Sequence, residues 1–175
     1  MIEPSHFSLF GLPQRFHVDA PALDAAWRRL QAAVHPDRHA GGSDAERRVA
    51  LQRATQVNEA YRVLRDPQRR GAHLCELAGV PLQAESNTAM PAAFLMQQMA
   101  WREALEDARA ARDTAALAGL RDEISSTRSA GIQTIGTLLD ERHDPVGAAA
   151  ELRQLMFIDR LLEEIDLAED ALAGI

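Results

Sequence analysis

Apolar residues recur at steps of three and four along most of the chain, the spacing that places them on one side of an α-helix. The first clear stripe consists of Leu23, Ala26, Trp27, Leu30 and Val34. Arg28 and Arg29 lie on the opposite side of that helix. Pro36 should end it at His35, because proline has no amide hydrogen and disfavours helical backbone in the residue before it. The pattern therefore predicts a basic amphipathic helix followed by a stiff, solvent-exposed corner.

A second helix should begin after Ser43. Ser43 and Glu46 have the spacing of a capping box, in which a serine hydroxyl and a glutamate carboxylate each accept a hydrogen bond from a free backbone amide. The apolar stripe of this helix is Ala50, Ala54, Val57, Tyr61 and Leu64. Such spacing suits a helix packed nearly antiparallel to the first. Residues 35–37 would then lie at the tip of a helical hairpin.

A third helix should follow directly. Asp66 can cap it, with Pro67 at its first position, and Gly79 should stop it after about Ala78. Residues 79–90 contain glycine, proline, serine and asparagine, which favour loops over helices. They indicate a linker.

Beyond the linker we predict three long helices, near residues 91–111, 114–140 and 146–173. Asp113 can cap the middle helix, and the pair Asp144-Pro145 separates it from the last one. No strand pattern competes with these helices. The chain is therefore predicted to be all-α, with a helical N-terminal domain and a C-terminal three-helix bundle.

The predicted bundle has more apolar positions than one buried stripe per helix requires. Residues 155–158 are Leu-Met-Phe-Ile, and four consecutive positions point nearly all round a helix, so at least one side chain should face away from the interior. Phe94, Leu95, Met96 and Met99 show the same excess on the first bundle helix. The pattern alone leaves two interpretations open, a protein-docking patch and ordinary core.

Composition limits the classes of function. The chain has 175 residues, of which 46% are hydrophobic, enough to bury a core. No stretch is apolar enough to span a membrane, and the N-terminus lacks the basic and apolar regions of a secretory signal, so we expect a cytoplasmic protein. Cys75 is the single cysteine, which excludes an intramolecular disulfide and a cysteine-rich zinc site and indicates a packed thiol.

The charge is divided unevenly. Residues 1–80 contain eleven arginines and nine acidic residues, a net charge of +2, whereas residues 81–175 contain eight arginines and seventeen acidic residues, a net charge of −9. The total of −7 argues against nucleic acid as a main partner.

An enzyme is a competing hypothesis, because His35, Asp37 and His39 lie close together in sequence. A catalytic zinc site needs converging ligands held by ordered neighbours, and alternate residues of one exposed loop do not define such geometry. We therefore expect no catalytic residue, no bound metal and no cofactor.

The triplet His35-Pro36-Asp37 lies between the basic amphipathic helix that should end at His35 and the helix that should begin after Ser43. This arrangement resembles the J-domain of DnaJ-type co-chaperones. The segments Asn58-Glu59-Ala60-Tyr61 and Asp66-Pro67-Gln68-Arg69-Arg70 add to that resemblance. The glycine-phenylalanine linker and the cysteine-rich zinc module of the general DnaJ plan do not occur in the sequence.

Four stretches extend the resemblance over nearly the whole chain, to the HscB family of J-domain co-chaperones of iron-sulfur cluster biogenesis. They are HFSLFGLP at 6–13, HPDR at 35–38, FLMQQM at 94–99 and LMFIDRL at 155–161. The resemblance implies an L-shaped protein with a J-domain at 1–78, a linker at 79–90 and a three-helix bundle at 91–175.

The resemblance also implies partners and binding residues. The J-domain would dock on a DnaK-type chaperone, usually HscA, and stimulate its ATPase. The residues implied for this contact are Arg28, Arg29, His35, Pro36, Asp37 and Arg38. The bundle would carry the iron-sulfur scaffold protein IscU. The residues implied for that contact are Leu95, Met96, Met99, Glu103, Asp107 and Phe157.

Two positions depart from the family pattern. His39 stands where an aromatic residue is typical, and Ala100 stands where an acidic residue can contribute to scaffold contact. We expect a monomer. The alternative is a general J-domain regulator of DnaK whose bundle associates with itself through the excess apolar face.

Overall fold

The structure is a computed structural model that describes residues 5–34, 41–83 and 89–174. The described residues form seven helices and no strand. The helices are α1 His6–Phe10, α2 Ala20–Val34, α3 Asp44–Arg65, α4 Pro67–Leu77, α5 Ala92–Ala111, α6 Thr114–Asp140 and α7 Pro145–Ala173. The chain divides into two compact units, Met1–Leu74 and Cys75–Ile175. The predicted all-α class is confirmed, and the bounds of α4 to α7 lie within one residue of those expected.

The first unit is built around the α2–α3 hairpin, with α1 packed against both helices. Ser43 and Glu46 form the predicted capping box at the start of α3. The interior contains apolar side chains from α1, the following loop, α2 and α3. They include Phe7, Phe10, Phe16, Leu23, Ala26, Val57 and Leu64. Short side chains at Ala50, Ala54 and Ala60 allow α3 to approach its neighbours closely.

Tyr61 departs from its expected place in the core, because it is only half-buried. Its hydroxyl donates a 2.9 Å hydrogen bond to the carboxylate of Asp24 at the edge of the hairpin. A buried tyrosine hydroxyl needs a polar partner, and that partner here lies at the surface of the unit. Tyr61 therefore joins α2 to α3 at the boundary between core and solvent.

The second unit contains the α5–α7 bundle. Asp113 accepts a hydrogen bond from the amide of Ala116 at 2.9 Å, so the predicted cap of α6 is confirmed. Asp144, predicted only to separate α6 from α7, also caps α7 by accepting a hydrogen bond from the amide of Gly147 at 2.9 Å. The helices α6 and α7 form the most extensive contact. Their shared interior is occupied by buried aliphatic side chains. They are Leu117, Leu120, Ile124, Ile135, Leu152, Leu155, Ile158, Leu161 and Ile165.

The segment that leads into the bundle also belongs to this unit. The sulfur of buried Cys75 lies 3.5 Å from the carbonyl oxygen of Pro145, and Arg153 donates a hydrogen bond to the carbonyl of Leu82 at 3.1 Å. Desolvation by burial raises the pKa of the Cys75 thiol to about 11. The expectation of a packed, unreactive thiol agrees with this environment.

Candidate functional site

Helix α2 presents the basic surface that its sequence predicts. Arg28 and Arg29 are exposed, on the side of α2 away from buried Leu23 and Ala26. The other predicted chaperone contacts, His35, Pro36, Asp37 and Arg38, lie outside the described residues, as does His39.

Two groups of side chains hold α2 to α3 within the hairpin. The rings of Trp27 and Tyr61 stack with centroids 4.7 Å apart. The amide oxygen of Asn58 accepts a hydrogen bond from the indole nitrogen of Trp27 at 3.1 Å and another from Gln31. One acceptor on α3 thus engages two donors one turn apart on α2, which opposes sliding of one helix along the other.

The second group is centred on Asp24. Its carboxylate accepts hydrogen bonds from the hydroxyl of Tyr61 and, at 2.6 Å, from the guanidinium of Arg65. The hydrogen bond from Tyr61 lowers the pKa of Asp24 below its usual value, and the charges of Arg65 and Arg28 act in the same direction, against partial desolvation. Sequence reasoning missed this cluster, because its members are separated by 37 and 41 residues.

Helix α5 carries the other candidate surface. Leu95, Met96 and Met99 are exposed by 47%, 72% and 71%, and Glu103 and Asp107 continue the same side of the helix at steps of four. These residues cannot be covered by α6 and α7, because the opposite side of α5 already faces the bundle. That buried side consists of Trp101, Leu105 and Ala108. Trp101 is therefore a core residue.

Phe157 lies on α7 at the same level along the bundle axis as Leu95 on α5. Short loops join α5 to α6 and α6 to α7, so α5 and α7 run parallel. Arg102 of α5 pairs with Glu164 of α7 at 3.5 Å, and Leu95 and Phe157 each lie seven residues before that pair. Phe157 is half-buried, whereas Leu155 and Ile158 are fully buried. We call the surface formed by Leu95, Met96, Met99, Glu103, Asp107 and Phe157 the α5–α7 face.

Neither a metal cluster nor a membrane-spanning helix occurs among the described residues. Across 5–34, 41–83 and 89–174, no group of three or more histidine, cysteine, aspartate or glutamate side chains could hold a metal ion. Within the same ranges, no helix has the length and hydropathy needed to cross a membrane. Ala100, the departure from the family pattern on α5, is exposed.

The two units match two protein families. Residues 5–73 match the DnaJ domain, and residues 90–166 match the HSCB C-terminal oligomerisation domain. A protein from Bordetella petrii described as a co-chaperone protein HscB homolog is 55% identical over 98% of this chain and 99% of its own length. The chain belongs to the HscB family of J-domain co-chaperones.

Two solved structures of HscB proteins are similar to this chain. The chaperone HscB from Vibrio cholerae is 35% identical, with a TM-score of 0.82 over 96% of this chain and 99% of its own. The human co-chaperone protein HscB is 26% identical, with a TM-score of 0.88 over 95% of this chain and 83% of its own. The resemblance inferred from the sequence is confirmed, and a J-domain implies a DnaK-type chaperone as partner.

Proposed function

We propose that this protein stimulates the ATPase of an HscA-like chaperone through its J-domain and delivers an IscU-type scaffold protein to it on the α5–α7 face. The protein contributes no catalytic group, and the hydrolytic chemistry belongs to the chaperone. The exposure of three large apolar side chains on α5 carries the proposal, since the bundle core is complete without them.

The proposed chaperone contact combines electrostatic steering by α2 with specific contacts of the triplet His35-Pro36-Asp37. Arg28 and Arg29 are exposed on one side of α2 and would attract an acidic chaperone surface. His35 and Asp37 would then engage groups that control the chaperone's cycle, and an ionised Asp37 suits a partner arginine because it only accepts hydrogen bonds. Pro36 would reduce the entropy lost on docking, because proline restricts its own backbone and that of the residue before it.

Asp37→Asn tests the chaperone contact. The amide removes the charge but keeps the shape, so ATPase stimulation should be abolished while helicity and IscU binding stay unchanged. Steady-state ATP hydrolysis by the chaperone, measured with and without IscU, provides the readout. Full stimulation by the variant would refute the assigned role of the corner.

The scaffold contact would bury apolar side chains that are exposed in the free protein. Leu95, Met96 and Phe157 would supply an apolar centre, with Glu103 and Asp107 as an acidic edge. If these side chains are interface hot spots, alanine at one of the three apolar positions should cost about 2 kcal/mol or more of binding free energy. Tethering the scaffold beside the chaperone would also raise its effective concentration there.

Calorimetry against purified IscU tests this contact. Leu95→Ala and Phe157→Ala should weaken binding, whereas Leu167→Ala is a matched control. Leu167 is 67% exposed, and it lies ten residues beyond Phe157 on the same helix, a distance of about 15 Å. Unchanged affinity of the first two variants, with intact helicity, would remove the α5–α7 face from the proposal.

Self-association is the second candidate for this face. The description of the matching C-terminal family as an oligomerisation domain favours it. In that case light scattering would detect a dimer of the free protein, and Met99→Glu would return it to a monomer, since like charges would meet across a two-fold interface. A monomeric wild type that binds IscU excludes this alternative.

A further inference from the structure

We propose that Arg160 belongs to the scaffold-binding surface and pairs with a carboxylate group of the docked scaffold protein. This inference rests on the function proposed for the α5–α7 face. It extends that face beyond its apolar centre and acidic edge by one cationic position on α7.

The position of Arg160 on the helix directs its side chain toward the face. Side chains of an α-helix lean toward its N-terminus, so residue 160 reaches back over the residue one turn earlier. The guanidinium carbon of Arg160 lies 5.9 Å from the centroid of the Phe157 ring, within cation–π range. Glu163 and Glu164 lie about one turn after Arg160 on α7. The side chain of Arg160 leans in the opposite direction, toward the N-terminus of the helix.

Arg160 also differs from five of the other seven arginines of residues 89–174, which have partners inside the unit. Arg102, Arg109, Arg121 and Arg128 form ion pairs, and Arg153 donates to a backbone carbonyl. Arg160 is exposed and forms no ion pair with a described carboxylate, although residues 81–175 carry a net charge of −9.

With Arg160 included, the charged residues assigned to the face have opposite signs on its two helices. Glu103 and Asp107 lie on α5, and Arg160 lies on α7 beside Phe157. A partner with a basic group opposite α5 and an acidic group opposite α7 would fit in one orientation only, because the reversed orientation brings like charges together. Arg160 would therefore contribute to the orientation of the scaffold as well as to affinity.

The fork of donors in a guanidinium matches a carboxylate. Arginine binds carboxylates through two parallel hydrogen bonds and can stack on an aromatic ring at the same time. Contact with Phe157 already restricts the side chain, so less rotamer freedom is lost when the partner docks.

Charge reversal in the full-length protein provides the test. Arg160→Glu should weaken binding of purified IscU by about tenfold or more at 0.05 M salt, and about 0.5 M salt should reduce the difference from wild type. Arg142→Glu is the control, since it makes the same charge change at another exposed arginine without an ion pair to a described residue. Arg142 precedes the start of α7 at Pro145, which is fifteen residues, or about 22 Å along the helix, from Arg160. This distance exceeds the screening length of about 14 Å at 0.05 M salt, so the effect of Arg142→Glu should stay within about twofold.

Two outcomes would overturn the inference. If Arg160→Glu and Arg142→Glu behave alike while Phe157→Ala still weakens binding, Arg160 lies outside the contact and the proposed function stands. If Arg160→Glu and Phe157→Ala both leave binding unchanged, the inference and the proposed scaffold site fail together.

A double-mutant cycle separates contact with the scaffold from support of Phe157. On a Phe157→Leu background, a direct carboxylate contact predicts that Arg160→Glu still weakens IscU binding by a similar factor. Loss of the effect on that background would show that Arg160 acts only through the ring, which would overturn the proposed pairing.

Discussion

Replacing Gly131 by alanine tests how closely α6 and α7 pack. Gly131 is buried in the middle of α6, and a Cβ atom added there would lie 2.8 Å from Cδ2 of Leu155 and 3.2 Å from a carboxylate oxygen of Glu151. Glu151 is only half-buried, so its carboxylate can move away. Leu155 is fully buried, and its side chain can move only by displacing its own neighbours.

Two effects of opposite sign decide the result. Alanine in a helix interior is favoured over glycine by about 1 kcal/mol. Inserting a carbon atom into a packed interior costs about 1–3 kcal/mol. Because the displaced atom belongs to a fully enclosed leucine, we expect the cost to prevail, with a net loss of about 1 kcal/mol in the free energy of unfolding of the bundle.

Gly119→Ala is the matched control. Gly119 lies on the same helix, is exposed, and has no heavy atom within 4 Å of an added Cβ. Only the favourable change in helix propensity remains, so this variant should be stabilised by about 0.5–1 kcal/mol. The same substitution should therefore have opposite signs twelve residues apart on one helix.

Urea unfolding measured by tryptophan fluorescence provides the assay. The chain has two tryptophans, so Trp27→Phe leaves Trp101, which is buried in the bundle, as the only reporter. Thermal unfolding gives a second measure, with about 4–8 °C in Tm for each kcal/mol in a domain of about 100 residues. On a Leu155→Val background the clash disappears, and Gly131→Ala should become stabilising. If Gly131→Ala stabilises the wild-type bundle as Gly119→Ala does, the close contact of α6 with α7 is refuted.

Two further predictions concern titratable groups. The folded pKa of Asp24 is lowered, chiefly by its hydrogen bond from Tyr61, so its contribution to stability is present above its unfolded pKa of about 3.9 and is lost as pH falls through the lower folded value. Asp24→Asn should therefore lower the stability of the first unit at pH 7 and bring it close to wild type in strong acid; a constant difference at all pH values would contradict this. Cys75, with a pKa raised to about 11, should react with iodoacetamide at pH 8 more than about 100-fold slower than a free thiol, and urea should restore the rate. Rapid alkylation of the folded protein would contradict its burial.

The helix ends could be predicted because their determinants are local. A capping side chain and the amide it accepts from are three residues apart, as in the Ser43–Glu46 box and at Asp113 and Asp144. The capping residue and its backbone partner therefore lie in the same short stretch of sequence. Such a cap can be recognised without knowledge of the tertiary packing.

Contacts between distant segments could not be predicted in this way. Nothing in the stripe of α3 indicates that Asn58 accepts hydrogen bonds from α2, or that Tyr61 turns outward to Asp24. The neighbours of Trp101 in sequence likewise do not determine which side of α5 it occupies, because Ala100 precedes it and Arg102 follows it. Its place was decided by a partner on the next helix, Glu123, which accepts its indole hydrogen at 2.8 Å.

Exposure also determines which side chains of the α5–α7 face give interpretable variants. Met96 and Met99 are more than two-thirds exposed, so their truncation to alanine should change folding stability by no more than about 0.5 kcal/mol. Phe157 is half-buried, and its truncation removes contacts within the bundle as well as any contact with a partner. A loss of IscU binding in Phe157→Ala alone could therefore reflect a disturbed bundle. The same loss in the two methionine variants could not, because they leave the core of the unit intact.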